Sequence, residues 1–336
     1  MVLWRGVEEA FRARVNSRFV SGRVAVSVCF FLLGMLLAAP SGWAQEVGHY
    51  VPGVANIRDF TMPPKGCYYV QYNSFYSSDT FKNSNGIKVD TVTIGDTIIM
   101  VELDVDVFSI TPTLICNTGL KVLGAEYAFY AALSVANSSL GATLTIRDQG
   151  LTVNESQVAF GDLYLQPLWL GWRGKRYDLS AGYGFYAPLG QYTPRARDNV
   201  GLGFWSHEFR GSGTYYVTKN RTTALMLTVN YELNADRKQG FDLKPGDYIA
   251  AEWGLSQYLS ERLEVGFAGS HIWQITDDTG ADRRNTVHDR VHGMGFQAGY
   301  WPIKQKLNLT GRLLWEFGAR DRLEGTWLNI ALTYIF

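Results

Sequence analysis

The sequence predicts an all-β chain: a transmembrane antiparallel β-barrel of about twelve strands, preceded by a short N-terminal segment that plugs the barrel or lies on its periplasmic rim. Three observations predict it. Segments of roughly ten residues alternate strictly between apolar and polar positions, a period of two that belongs to strands and not helices. Long and short connections alternate between those segments, except that the last is short where a long one is due. Beyond residue 44 no apolar run is long enough to cross a bilayer as a helix, so any crossing must be made by strands that close on themselves.

Residues 1–44 read as a secretory leader. Arg5, Arg12, Arg14, Arg18 and Arg23 precede an apolar run, VAVSVCFFLLGMLLAA, which Pro40 and Ser41 terminate. The run is about 16 residues, short for a spanning helix. Gly42-Trp43-Ala44 then offers small residues for cleavage before Gln45. An uncleaved anchor is the alternative. The chain as a whole carries 31 basic and 31 acidic side chains. Removing the leader takes five arginines and only Glu8 and Glu9, leaving a slightly acidic remainder with no basic footprint for nucleic acid. Cys29 leaves with the leader. Cys67 and Cys116 remain, too few for a disulfide scaffold, and are expected as two free thiols.

Residues 45–66, QEVGHYVPGVANIRDFTMPPKG, hold three prolines and no periodicity. This is the irregular N-terminal segment, with His49, Tyr50, Pro52, Asn56, Arg58 and Asp59 as its candidate functional residues. The apolar Tyr50, Val51, Val54, Ile57 and Phe60 need burial somewhere.

From residue 67 to residue 336 the chain reads as barrel. The last ten residues, WLNIALTYIF, place Leu328, Ile330, Leu332, Tyr334 and Phe336 on one face and Asn329, Ala331 and Thr333 on the other. Tyr334 and the terminal Phe336 also resemble the signal read by the outer-membrane assembly machinery. Equivalent alternation begins at Ile99, Leu123, Leu179, Leu225, Ile249 and Leu307. Weaker candidates occupy 67–76, 160–172, 203–217, 262–275 and 290–301, with a bulge expected at His271. The connections run near 77–96, 112–119, 137–159, 173–176, 189–202, 218–221, 235–246, 260–261, 276–289, 302–304 and 319–323. With the first strand rising from the periplasm, every long one falls outside and the C-terminus ends inside, which a soluble sandwich has no reason to arrange.

The fragments HYVPGVANIRDF at 49–60, PPKG at 63–66, YYVQY at 68–72, GDLYLQP at 161–167, PLGQY at 188–192, YELN at 231–234 and QITDD at 274–278 resemble the family of outer-membrane proteins named for the meta-pathway of phenol degradation. The resemblance runs from His49 to Phe336. Leu189 stands where threonine is more usual, and 236–240 lacks an Asn/Thr-rich form. The resemblance implies uptake of a small hydrophobic or aromatic compound across the outer membrane. A structural or adhesive barrel acting through its outer loops, and an outer-membrane hydrolase, are the alternatives.

Carboxylates cannot face lipid cheaply. Glu102, Asp104, Asp106, Glu126, Glu232, Glu252, Glu264 and Glu316 are therefore expected to line the lumen, with Arg312 the basic member. They would form either an acidic conduit that disfavours anions or an interior neutralised by groups such as Arg58 and Lys65. Trp172, Trp205, Trp253, Trp273, Trp301 and Trp327 are expected in interfacial girdles. No metal or cofactor motif is present. Asp277, Asp278 and Asp282 do not have calcium-loop spacing, and His288 and His292 would stand about 13 Å apart on a strand. Ser206 and His207 are adjacent, and no nucleophile elbow accompanies them, so no enzyme is expected. The expected partners are outer-membrane lipid, the assembly machinery and the transported compound.

Overall fold

The structure is a computed structural model describing residues 48–94, 97–146, 149–194, 196, 199–237, 240, 242–283 and 287–336. The leader, its cleavage point at Ala44 and Cys29 lie outside the described residues.

Fifteen strands follow in chain order: β1 (Gly66–Ser78), β2 (Phe81–Lys82), β3 (Thr91–Ile94), β4 (Thr97–Val122), β5 (Ala125–Ile146), β6 (Gln149–Arg173), β7 (Tyr177–Ala187), β8 (Ser206–Tyr216), β9 (Thr223–Asn234), β10 (Tyr248–Tyr258), β11 (Leu263–Gln274), β12 (Arg290–Ile303), β13 (Leu307–Arg320), β14 (Arg322–Leu323) and β15 (Thr326–Ile335). Twelve of them close a ring of antiparallel neighbours. The ring closes because β1 pairs with both β4 (Tyr72↔Thr111) and β15 (Tyr72↔Ala331). Closure satisfies every ladder and leaves the ring no free edge, the one way a sheet can sit in hydrocarbon. The two-stranded β2–β14 pair lies outside the ring and joins the connection after β1 to the one after β13.

Alternation builds the wall as expected. On β9, Ala224, Met226, Thr228, Asn230, Glu232 and Asn234 are buried, while Leu225, Leu227 and Val229 are exposed. On β12, Val291, Gly293, Gly295, Gln297 and Gly299 face inward, and Met294, Phe296 and Tyr300 face out. A soluble fold would not expose such a belt of large apolar groups.

Two connections differ from those read in sequence. Residues 112–119 are part of β4, and the turn comes later, at Leu123 and Gly124 (φ 51° and 77°), a two-residue hairpin with both central residues in the left-handed region. Pro112 and the polar Asn117–Thr118 looked like a turn. Pro112 instead sits beside a gap in the β5 ladder, between Ile110↔Val135 and Thr113↔Ala132, and Gly119 (φ 75°) absorbs a bulge. Of the expected loop 137–159, residues 137–146 and 149–159 are strand as well. β5 and β6 continue through it, pairing as far as Ile146↔Gln149. Since β1 ends at Ser78↔Val105 and β7 ends at Ala187, opposite Leu163, the remoter parts of β3, β4, β5 and β6 project past the ring as a flap. From Asp104 to Thr97 that is about 23 Å of strand.

The two cysteines are a further correction. Cys67 and Cys116 face each other directly across β1 and β4 and are joined by a disulfide. Sequence separation hid the pair, because only closure of the ring makes β1 and β4 neighbours.

Candidate functional site

Residues 48–65 lie inside the ring. Each buried apolar cluster of the lumen involves the segment: Tyr50 with Tyr248, Ile272 and Val291; Ile57 and Phe60 with Met226 and Ala268; Met62 with Ala128 and Trp169; Val54 against Val70, Tyr72 and Ala331. The wall's inward glycines make room for this. A Cβ on Gly254 or Gly266 would meet Ile57 at 2.8 or 2.4 Å, and one on Gly171 would meet Met62 at 2.4 Å.

Polar contacts hold the segment from strands around the ring. His49 and Tyr50 donate their backbone N–H groups to the two oxygens of Glu232, at 2.7 and 2.9 Å. The Tyr50 hydroxyl donates to Glu252 at 2.5 Å. Ile57 N–H donates to Gln297 Oε1, Tyr72 OH to Asp59 Oδ2, and Ser180 Oγ to Phe60 O. Asn56 closes a local turn by donating its N–H to Asp59. Arg312 reaches the carbonyl of Ala55, and Asn329 that of Val54. Arg58 donates to Glu264 at 2.6 Å and to the carbonyls of Arg221 and Thr222, in the turn between β8 and β9. Val51 is exposed, and Pro52 stands in the turn that reverses the chain there.

His49 is the most enclosed of these contacts. Its ring stacks on Tyr186 at 4.7 Å. Nδ1 lies 2.7 Å from Ser206 Oγ and Nε2 2.9 Å from Asp162 Oδ2. The protonation state follows from the network. Asn234 Nδ2 donates to Gly246 O, so its Oδ1 faces Ser206 and accepts that hydroxyl proton at 2.6 Å. Ser206 Oγ must then accept from His49 Nδ1–H, and the Asp162 carboxylate can only accept from Nε2–H. Both nitrogens carry protons, and His49 is an imidazolium. Burial pushes its pKa down, but the hydrogen bonds and charges of Asp162 and Glu232 outweigh burial and raise it above the ordinary value of 6.5.

Ser206, His49 and Asp162 thus have the connectivity of a nucleophile, a base and its orienting acid. A protonated imidazole cannot take a proton, however, and the serine proton is already committed to Asn234. His207, the histidine adjacent to Ser206 in sequence, lies on the opposite face of β8, hydrogen-bonded to Tyr183. The arrangement is a latch.

Of the carboxylates expected in the lumen, Glu232, Glu252 and Glu264 are buried there. Glu126 is half-buried near the short-turn end, between Asn117 Nδ2 at 2.7 Å and Arg173 at 3.6 Å. Glu316, at the other end, accepts from Tyr76, Gly325 and Trp327. Arg312 is fully buried and pairs with Glu252 at 3.2 Å. Glu102, Asp104 and Asp106 are not in the lumen. They are exposed on the outer face of β4, in line with Ile98, Met100 and Phe108, while Val101 is buried on the other face. The pairing Ser78↔Val105 puts the odd-numbered residues inside. The objection to carboxylates on an outer face fails for Glu102 and Asp104 because they belong to the flap, past the end of β1, while Asp106, opposite Ser77, stands at the rim of the ring. Trp327 is also corrected: it pairs with Tyr76, faces inward and donates to Glu316.

Sequence reasoning missed Asp162, Gln166, Glu208 and Arg210. Glu208 is buried and Arg210 half-buried, and the two are paired at 2.6 Å. Their signal was present in the run Ser206, Glu208, Arg210, Ser212, Thr214, all on one face, but the glycines opposite blurred it. Arg210 lies over the rings of Tyr50, Phe60 and Tyr130 at 5.2–5.9 Å. Beside it the rings of Tyr186, Tyr164, Tyr130 and Trp169 follow one another at 4.5, 5.2 and 6.0 Å. Gln166 Nε2, Glu208 Oε2 and Asn230 Nδ2, all buried along this column, have no hydrogen-bond partner among the described residues. In the outer loops, Asp277 pairs with His288, Asp278 accepts from Gly246 N–H, and Asp282 accepts from Asp242 N–H.

Residues 78–332 match the family described as "Putative MetA-pathway of phenol degradation". The chain belongs to this family. Among solved structures, it is similar to the COG4313 outer membrane channel of Pseudomonas putida F1, with a TM-score of 0.68 and 14% identity over 84% of this chain and 100% of that one. At that identity the likeness establishes the fold, an outer-membrane β-barrel. A Pseudomonas aeruginosa FadL homologue is a more distant likeness, with a TM-score of 0.40 and 9% identity over 88% of this chain and 97% of that one. No curated protein sequence matches the chain.

Proposed function

We propose that this member of the family is a passive outer-membrane channel for a small hydrophobic or aromatic compound, and that residues 48–65 are its gate. The observation that carries the reading is the column of inward rings, Tyr186, Tyr164, Tyr130 and Trp169, running beside the segment with unpartnered polar atoms along it. Stacked rings accept an aromatic guest face-on or edge-on, and a few polar groups orient it. Besides the apolar contacts of Tyr50, Ile57, Phe60 and Met62, the segment is held by hydrogen bonds and ion pairs, which a displacement can exchange one at a time. Most of the lumen carboxylates are matched by Arg58, Arg210, Arg312 and His49, which Asp162 and Glu232 share, so the interior is largely neutralised.

The same reading takes residues 1–44 as a leader removed near Ala44, residues 45–66 as the gating segment, and Tyr334 and Phe336 as the signal met by the assembly machinery. Sequencing the N-terminus of the mature protein tests the first of these. Permeation of phenol, benzoate and a neutral alkylbenzene into liposomes holding the purified protein tests the channel. The intact chain should speed entry of at least one, and a chain lacking residues 48–60 should speed entry of all three and conduct small ions. If neither form exceeds empty liposomes, the channel reading fails. The projecting flap favours a second reading, a barrel acting through its outer surface. In that case removing the flap, not the segment, would abolish function.

A further inference from the structure

The outer wall over β11, β12 and β13 is built in rows. Leu263, Tyr300 and Leu309 face outward together near the short turns. Phe267, Phe296 and Leu313 form a middle row. The last row before the long connections is Trp273, Arg290 and Arg320. Ten residues of β11 separate the first row from the last, about 33 Å of strand, which at a tilt of about 40° spans about 25 Å of membrane normal. That is the height of the apolar band. The two arginines therefore stand at its outer boundary, level with lipid headgroups, beside a tryptophan of the kind that settles at such boundaries.

Two guanidinium groups directly opposite on neighbouring strands repel unless an anion lies between them. The described residues do not supply one. Asp289, next to Arg290, is turned into the lumen, where Arg322 at 2.9 Å and Tyr248 at 2.5 Å use it. Among the described residues no carboxylate pairs with Arg290 or Arg320, and the buried Nε of Arg290 has no hydrogen-bond partner. Beneath the arginines lie only His271, His292 and Phe317, then Gly269, Met294 and Trp315, an aromatic and apolar slope suited to acyl chains. Arginine forks bind phosphate oxygens two at a time.

We propose that Trp273, Arg290 and Arg320 dock the phosphorylated headgroup of an outer-leaflet glycolipid, whose acyl chains lie along Met294 and Phe296. The site is on the outside of the wall and does not depend on what passes through the lumen.

The test is native mass spectrometry of the full chain in detergent, titrated with bis-phosphorylated lipid A, with its dephosphorylated form, or with inorganic phosphate. The wild type should retain the phosphorylated lipid in preference to the other two. R290Q/R320Q should weaken that retention by about thirtyfold, at roughly 1 kcal/mol per arginine near an anionic surface, and R290K/R320K by much less. K304Q/K306Q, at the opposite rim, should change nothing. If the double glutamine variant does not fold, R320Q alone carries the test, since that side chain is exposed. Equal retention of both lipids, an equal loss in K304Q/K306Q, unchanged retention in the glutamine variants, or phosphate adducts as abundant as lipid would each overturn the proposal.

Discussion

Glu252 and Glu102 both sit in strands of strict alternation, flanked by apolar residues one step either side. Glu252 is sealed in the lumen against Arg312 and the Tyr50 hydroxyl. Glu102 stands in the open on the flap, among exposed apolar side chains. The lumen of β8–β13 and the projecting part of β4–β6 therefore use one pattern in opposite phase. Alternation says which residues share a face, and only the partner strand says whether that face is the inside. A carboxylate inside the ring must be matched at hydrogen-bond distance, because the lumen's contents replace water around it. A carboxylate past the ring needs no partner.

The sharpest way to break this comparison is to unpair a lumen charge. Arg312→Met should destabilise the barrel by about 3–5 kcal/mol, since Glu252 is left buried and uncompensated, and adding Glu252→Leu should recover most of it. Unfolding in detergent, followed by the heat-modifiable electrophoretic band, reads both. The comparison is broken if Glu102→Gln costs as much.

The seam between the two regions comes next. C67S/C116S removes the tie between β1 and the strand that carries the flap, and should cost about 2–4 kcal/mol, read the same way.

The latch then distinguishes the segment from the wall. His49 is raised by its carboxylates, so its charge stabilises the docked segment fully below the unfolded value of 6.5, and that stabilisation is lost as pH rises through the higher folded value. Hydrogen exchange of residues 48–60 should accelerate about tenfold on going from mildly acid to alkaline pH, with wall strands unaffected. His49→Gln should exchange fast throughout. An identical pH response in that variant would assign the effect to another group.

The smallest effect belongs to the flap. E102Q/D104N/D106N should change stability by no more than about 0.5 kcal/mol and leave reversal potentials in planar bilayers unchanged. A shift in selectivity would return these residues to the permeation path.

Much of the architecture was legible because a strand's two faces are a local property of the chain. The alternation at Ile249, Leu225 and Leu307, the parity of connections and the apolar C-terminal strand lead to a twelve-stranded ring without tertiary information. The misreadings share one cause. At 112–119 and 137–159 the composition is that of turns (Pro112, Asn117, Gly119, then Asn137, Ser138 and Ser139), yet cross-strand pairing keeps residues 112–119, 137–146 and 149–159 extended. Glu208 and Arg210 were missed because Gly211 and Gly213 weaken the apolar half of the pattern.

Strand number, strand type and the presence of an irregular polar and apolar N-terminal stretch were determined by the sequence alone, since backbone geometry with a period of two imposes them residue by residue. Tertiary structure decided the phase of β4, the disulfide, and which groups meet His49, Arg58 and Arg312. Those partners lie up to 257 residues away, as with Arg312 and Ala55. Only closing the ring around the segment brings them within reach, and no local rule of the chain encodes which wall a buried charge will face.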